Sequence, residues 1–367
     1  MIGEPMTPPR ITTVEHLHAY LDAALQLEHA TIPPYLTALY SLHPEGNSDA
    51  RHILRVVVVE EMLHLTLVAN VLNAVGGTPD LTRAGFVPRY PTCLPDGEQD
   101  FEVDLQPFSP EAVTTFLRIE RPAKAGAGSD RMVSRGGGRR LLAAAPGEPG
   151  MQYYSIGEFY QEITRGLRHL HQVYERDGKR LFVGDPARQV APEYFYSGGG
   201  EAIPVGDLTS ALAALDLIAE QGEGLGGGIY DAEGELSHYY RFEQLQLGRY
   251  YQKGDLPGQP SGPPVEVDYG AVYPAARNAR RQDYPEGSEL AAAAAEFDAS
   301  YADFLALLTR AFGGRPDLLL EAVPRMFRIR DDMQRLFRNP IPGRPGVHAA
   351  PTFELPGSTT GAGHDLG

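Results

Sequence analysis

The chain has 367 residues, enough for one large domain or two and for a substantial buried core. Its 32 basic against 48 acidic residues give a net charge of −16 with no extended basic run, which argues against nucleic acid and anionic membranes as main partners. A single cysteine, Cys93, excludes an intrachain disulfide and a thiolate-held zinc or iron–sulfur site. Any demanding chemistry must therefore use His, Asp, Glu, Tyr and a bound cofactor. A hydrophobic content of 42% with 22% charged residues is that of an ordinary soluble globular protein. The stretch Met1–Arg10 is polar and proline-containing, without the apolar region of a secretory signal, and no stretch reads as long enough to span a bilayer. A cytoplasmic protein is the expectation.

In chain order, Thr12 and Thr13 are placed to cap a helix running to about Leu42, with Leu17, Leu21, Leu25, Ile32, Tyr35 and Leu39 on its apolar stripe. Pro33-Pro34 is expected to kink it. His43 to Asn47 is a short loop, and a second helix follows over about 49–75 until Gly76-Gly77, so the two helices should be antiparallel. From Thr78 the sequence turns proline-rich and irregular, with a strand-like alternation at Phe101–Leu105. A short helix opens at Pro110 and ends near Glu120-Arg121-Pro122. The glycine-rich, basic stretch up to residue 150 reads as a mobile loop, with a substrate lid as the alternative. Its Gly136-Gly137-Gly138 lacks the Lys-Ser/Thr ending of a phosphate loop.

Ser155 should cap a third long helix to about Asp177, burying Ile156, Phe159, Tyr160, Ile163, Leu167 and Leu170. An irregular segment with short strands leads to a helix at Asp207–Glu220 and another at Glu235–Gly248. Amphipathic helices at about Gly287–Phe312 and Arg315–Arg338 should bury Phe297, Tyr301, Phe304, Leu305 and Leu308, and Met326, Phe327, Met333 and Leu336. The pattern thus describes a mainly α chain: one domain over residues 12–340, with core helices at about 13–42, 49–75, 155–177 and 207–248, an insertion at 78–150 and accessory helices at 287–338. A Pro/Gly-rich tail covers 341–367.

The second helix carries the most informative residues. Glu61 and His64 form a Glu-x-x-His unit, one helical turn apart and so on one face, inside a run that is apolar on nearly every side. Burying a carboxylate unpaired is costly, and a metal ion beside it removes that cost. Glu28 sits at the centre of the first helix's apolar stripe, where it reads as a further ligand or as a carboxylate bonded to a buried Tyr or Arg. Glu60, four residues before His64, could replace Glu61, although the three-residue spacing fits the di-metal pattern of helical bundles better. The second half offers Glu158 or Glu162 on the third helix, and then His238. The carboxylate partner of His238 is either Glu223 or Glu235, with Glu220 a weaker candidate. Six Glu/His ligands without thiolates suit two iron ions, with manganese or zinc as alternatives, and leave positions for dioxygen and a substrate.

The runs Leu27-Glu28-His29-Ala30-Thr31-Ile32-Pro33-Pro34-Tyr35-Leu36 and Glu60-Glu61-Met62-Leu63-His64 resemble the ferritin-like domain of the iminophenyl-pyruvate dimer synthase family, known from violacein- and rebeccamycin-type biosynthesis. Phe116 to Pro122, Ser155 to Tyr160, Glu220 to Gly224 and Ser237 to Phe242 extend the resemblance over most of 12–340. It implies a ferritin-like four-helix bundle with additional C-terminal helices, and a metal-dependent oxidative enzyme of natural-product assembly. It also favours Glu158 over Glu162 and Glu223 over Glu235, giving the set Glu28, Glu61, His64, Glu158, Glu223 and His238. The synthases that name the family are much longer, so their substrate does not transfer. Iron storage, and a redox-silent module holding zinc, are the rival readings.

Overall fold

Thr13 accepts a hydrogen bond from the His16 N–H and starts α1 (Val14–Ser41). The computed structural model describes residues 10–94, 101–122, 155–195 and 198–355. Pro33 and Pro34 lie inside an unbroken α1. Pro34 has no N–H to offer the Ala30 carbonyl, and the buried Tyr90 hydroxyl donates to that oxygen at 2.7 Å in its place. After a short loop, Asn47 takes a left-handed conformation and α2 (Ser48–Ala74) begins. Gly76, at φ +84°, reverses the chain and donates to the Asn73 carbonyl. Contrary to the sequence expectation, α2 is long and apolar enough to cross a membrane; 83% of its apolar stretch is buried within the fold, as in the core helix of a bundle.

Ser109 caps α3 (Pro110–Ile119), and Ser155 caps α4 (Ile156–Arg176). Asp207 and Ser210 cap each other reciprocally at the start of α5 (Leu208–Glu223), which runs three residues beyond its expected end and stops at Gly224, φ +81°. α6 (His238–Leu247) starts three residues later than expected. Helix α1 packs on α2 and α4, and α5 closes the ring against α2 and α4, giving the four-helix bundle. The short helices α3 and α6 pair with each other, and α6 also packs against α2 and α5. Helices α7 (Glu289–Phe312) and α8 (Leu319–Phe337) form a hairpin that packs through α8 on α1 and through α7 on α2.

Among the described residues there are isolated bridges but no extended strand. Val103 pairs with Thr92, but Leu105 exchanges its backbone bonds with Asn278, so the Phe101–Leu105 alternation is held by a loop instead of a partner strand. The expected core of α7 is buried, as are Met333 and Leu336 of α8. Phe327 is not. It stands 53% exposed beside Arg330, because the buried face runs through Ala322, Ile329, Met333 and Leu336, roughly opposite on the helical wheel. Beyond Pro122 the loop-or-lid stretch lies outside the described residues.

Candidate metal centre

Glu28 of α1 and Glu61 and His64 of α2 face one another in the bundle core, each at most 3% exposed. One ligand atom from each falls within 4.8 Å of the others. His64 Nδ1 lies 3.3 Å from Glu28 Oε2. A second trio shares Glu61 and adds Glu120 and His238, again within 4.8 Å and fully buried. His238 Nδ1 is 3.0 Å from Glu61 Oε1 and 3.5 Å from Glu120 Oε2. The two imidazoles are nearly parallel, their centroids 5.3 Å apart.

Helix ends deliver the second trio. Glu120 is the C-terminal cap of α3 and His238 the first residue of α6. Phe116, one turn before Glu120, and Phe242, one turn after His238, touch each other and both touch Tyr35 of α1, with centroids 4.8–5.2 Å apart. This aromatic trio holds the two short helices so that both ligand atoms meet Glu61.

Each imidazole turns its other nitrogen outward. His64 Nε2 is 2.9 Å from Gln221 Oε1, and His238 Nε2 is 3.0 Å from Glu60 Oε2. With Nε2 carrying the proton, Nδ1 of each ring points its lone pair into the centre. His238 Nδ1, buried between its two carboxylate neighbours, makes no well-aligned hydrogen bond to either. Oxygen and imidazole donors of this kind fit iron, manganese or zinc.

Residues 21–247 match the ferritin-like family. The chain belongs to that family. It is 28% identical over 319 residues to dichlorochromopyrrolate synthase of Lentzea aerocolonigenes, and 25% identical over 278 residues to 2-imino-3-(indol-3-yl)propanoate dimerase of Chromobacterium violaceum. These matches cover 82% and 66% of this chain but only 29% and 24% of those proteins, so the chain spans less than a third of the curated relatives it matches. Their names are those of the enzymes whose family the motifs resemble. The crystal structure of a ferritin-like protein from Caulobacter vibrioides has the same fold, with a TM-score of 0.61 at 22% identity over 90% of this chain and 97% of that one.

In this ferritin-like chain the remaining expected residues lie around the two trios. Glu60 backs His238 and lies 3.6 Å from Arg241. Glu162 is buried, but it accepts the Arg10 N–H at 2.7 Å and pairs with Arg165 at 2.6 Å. Glu158 sits half-buried on the first turn of α4, in neither trio. Glu223 is in neither as well: its carboxylate accepts the Gly157 N–H at 2.7 Å, on the positive end of α4. A Cβ at 157 would lie 2.3 Å from Glu223 Oε2, so a larger residue there would displace this carboxylate. Glu235 is exposed and pairs with Arg241; it precedes α6, so it shares no helical turn with His238. Glu220 accepts the Ala232 N–H.

Sequence reasoning missed Glu120 and Gln221. The signal for Glu120 was its place at the end of a helix, where the dipole disfavours a carboxylate and a specific partner is needed to hold it. Buried tyrosines back the outer carboxylates: Tyr160 donates to Glu28 Oε1 and Tyr35 to Glu120 Oε1. Burial, and then the adjoining carboxylates, push both phenols well above their ordinary pKa, so they remain donors. Thr31 Oγ1 lies 2.9 Å from Glu61 Oε2.

Burial pushes the Glu61 carboxyl up to about 7, with the Glu120 charge adding to it and His238 opposing it. Burial alone would lower both histidines. The surrounding carboxylates outweigh it, Glu28 foremost at His64 and Glu120 at His238, and both pKa values rise. Without cations, the cluster keeps protons to balance its own charge.

Proposed function

We propose that the chain is a metal-dependent enzyme that oxidises a small organic molecule with dioxygen. Two ions, most suitably iron, would sit in the two trios: one held by Glu28, Glu61 and His64, the other by Glu61, Glu120 and His238. One observation carries this reading. His238 Nδ1 is buried, without a well-aligned hydrogen bond, between two carboxylates, one of which it shares with the neighbouring trio. When bound, a pair of redox-active ions would supply oxygen-dependent oxidation that these side chains cannot perform themselves.

The protein's own part is positional. Glu61 belongs to both trios and ties them together. Glu60 and Gln221 fix the ring orientation and tautomer of the two histidines. Tyr35 and Tyr160 hold the outer carboxylates in place and leave their second oxygens facing the histidines. The nearly complete burial of all five side chains keeps bulk water from the centre. The names of the two relatives, 2-imino-3-(indol-3-yl)propanoate dimerase and dichlorochromopyrrolate synthase, support an amino-acid-derived substrate in natural-product biosynthesis. We place the reaction in the cytoplasm, with neither nucleic acid nor membrane as partner.

Elemental analysis of freshly purified protein, followed by anaerobic reduction and exposure to oxygen with optical monitoring, tests this reading. About two irons per chain and an oxygen-dependent absorbance change are expected. Bound zinc with no optical response would sink it.

A further inference from the structure

We propose that the two ion positions are inequivalent, and that Glu60 makes the Glu120–His238 position the tighter one. This rests on the two-ion reading above. The two positions are otherwise closely matched. Each has one imidazole Nδ1, one outer glutamate backed by a buried tyrosine, and a share of Glu61. What differs is the group behind each imidazole.

Behind His64 stands a neutral amide. Gln221 Nε2 donates to the Gly199 carbonyl at 2.6 Å, which fixes the amide's orientation and turns Oε1, 2.9 Å away, toward His64 Nε2. Behind His238 stands a carboxylate, Glu60 Oε2, at 3.0 Å. The other Glu60 oxygen faces the Arg241 guanidinium at 3.6 Å, so the cation sits on the side away from the imidazole. A carboxylate draws the Nε2 proton more strongly than an amide does, and the ring gives more electron density through Nδ1. Both partners are buried, where water does not level the difference. Outer partners of ligating histidines are worth about 10–100-fold in metal affinity. That range sets the expected gap.

The test titrates Co2+ into metal-free full-length chain, reading d–d absorbance and heat, in variants that keep one position each. Glu28→Ala leaves the Glu120–His238 position, and Glu120→Ala leaves the Glu28–His64 position; each removes one carboxylate, so overall charge is matched. The Glu28→Ala chain should bind one Co2+ with a Kd about 10-fold or more below that of the Glu120→Ala chain. Adding Glu60→Gln to the first should erase most of that advantage, and adding Gln221→Glu to the second should recover it. Should Glu60→Gln fail to fold, the Gln221→Glu arm decides alone, because it gains affinity where a merely structural change would lose it. Equal Kd values in the two single-position chains, or a Gln221→Glu chain that binds no tighter, would overturn the inference while leaving two ions in place. If the parent chain binds no Co2+, the two-ion reading falls as well.

Discussion

The two helical hairpins of the bundle serve the centre in different ways. The α1–α2 pair gives Glu28, Glu61 and His64 directly, together with Thr31, Tyr35 and Glu60 around them. The α4–α5 pair offers supports: Tyr160 on Glu28, and Gln221 on His64. Its glutamates are turned to other work, Glu162 to Arg10 and Arg165 and Glu223 to the start of α4. The second trio is completed instead by the ends of the small α3–α6 pair. A bundle can therefore keep its four-helix frame while part of its centre is supplied from outside the frame. The comparison predicts that loss of Glu61 on α2 costs both ions, loss of Glu28 on α1 or of a ligand on α3–α6 costs one, and damage to the carboxylates of α4–α5 costs neither.

The largest effect should come from Glu61, shared by both trios. Glu61→Ala should bind no ion, and added metal should leave its melting temperature unchanged. In the parent chain each ion should add about 2.7 kcal/mol at a 100-fold excess over its Kd, which thermal melting with and without metal would register as several degrees. A parent chain that melts alike in both conditions would remove the metal centre altogether. Next in size is Glu120→Ala, expected to reduce the metal content from two ions to one. Glu158→Gln and Glu223→Gln should keep both. Loss of an ion from the Glu223→Gln chain would return α5 to the ligand set and break the contrast between the hairpins.

This contrast also explains what the sequence could tell. On the long helices α1 and α2, a polar residue within an apolar stripe is conspicuous, and i, i+3 spacing fixes which side chains share a face, so Glu28, Glu61 and His64 could be read directly. The bundle and the α7–α8 hairpin were legible for the same reason. Glu120 and His238 meet only because Phe116, Tyr35 and Phe242 pack together from three separate helices, and no local spacing encodes that contact. Glu235, three residues before His238, was a candidate partner for it, yet α6 begins at His238 and leaves Glu235 in the preceding loop. Glu223 was favoured by the resemblance, and in the fold it meets the α4 N-terminus.

The pH dependence of stability should separate the loaded centre from the empty one. The folded metal-free chain raises Glu61 from its usual 4.5 to about 7, and raises His64 and His238 above their usual 6.5. In all three cases the folded state holds protons that the unfolded chain releases, so stability falls as pH rises through this range. The metal-free melting temperature should drop between about pH 5 and 8. Metal binding needs these ligands deprotonated, so the gap between loaded and metal-free chains should widen over the same interval. Melting curves at several pH values check both slopes, and a gap that narrows toward pH 8 would contradict the assignment. Glu61→Gln should flatten the metal-free slope.

The smallest effects should come from the two tyrosines, and they probe the comparison most finely, because Tyr35 belongs to the first hairpin and Tyr160 to the second. Each donates to the outer carboxylate of one trio. Changing either to phenylalanine keeps the ring's packing and removes only the hydroxyl, leaving a buried carboxylate oxygen short of a donor. In the metal-free chain that should cost about 1–3 kcal/mol. In the loaded chain the ion already balances the carboxylate, and the cost should be smaller. Tyr35→Phe and Tyr160→Phe should therefore lower the metal-free melting temperature by similar amounts, with both ions still bound on loading. A Tyr160→Phe chain that lost its ion outright, where Tyr35→Phe kept both, would mean that α4 determines whether Glu28 can act as a ligand. The second hairpin would then share in building the centre that the first provides.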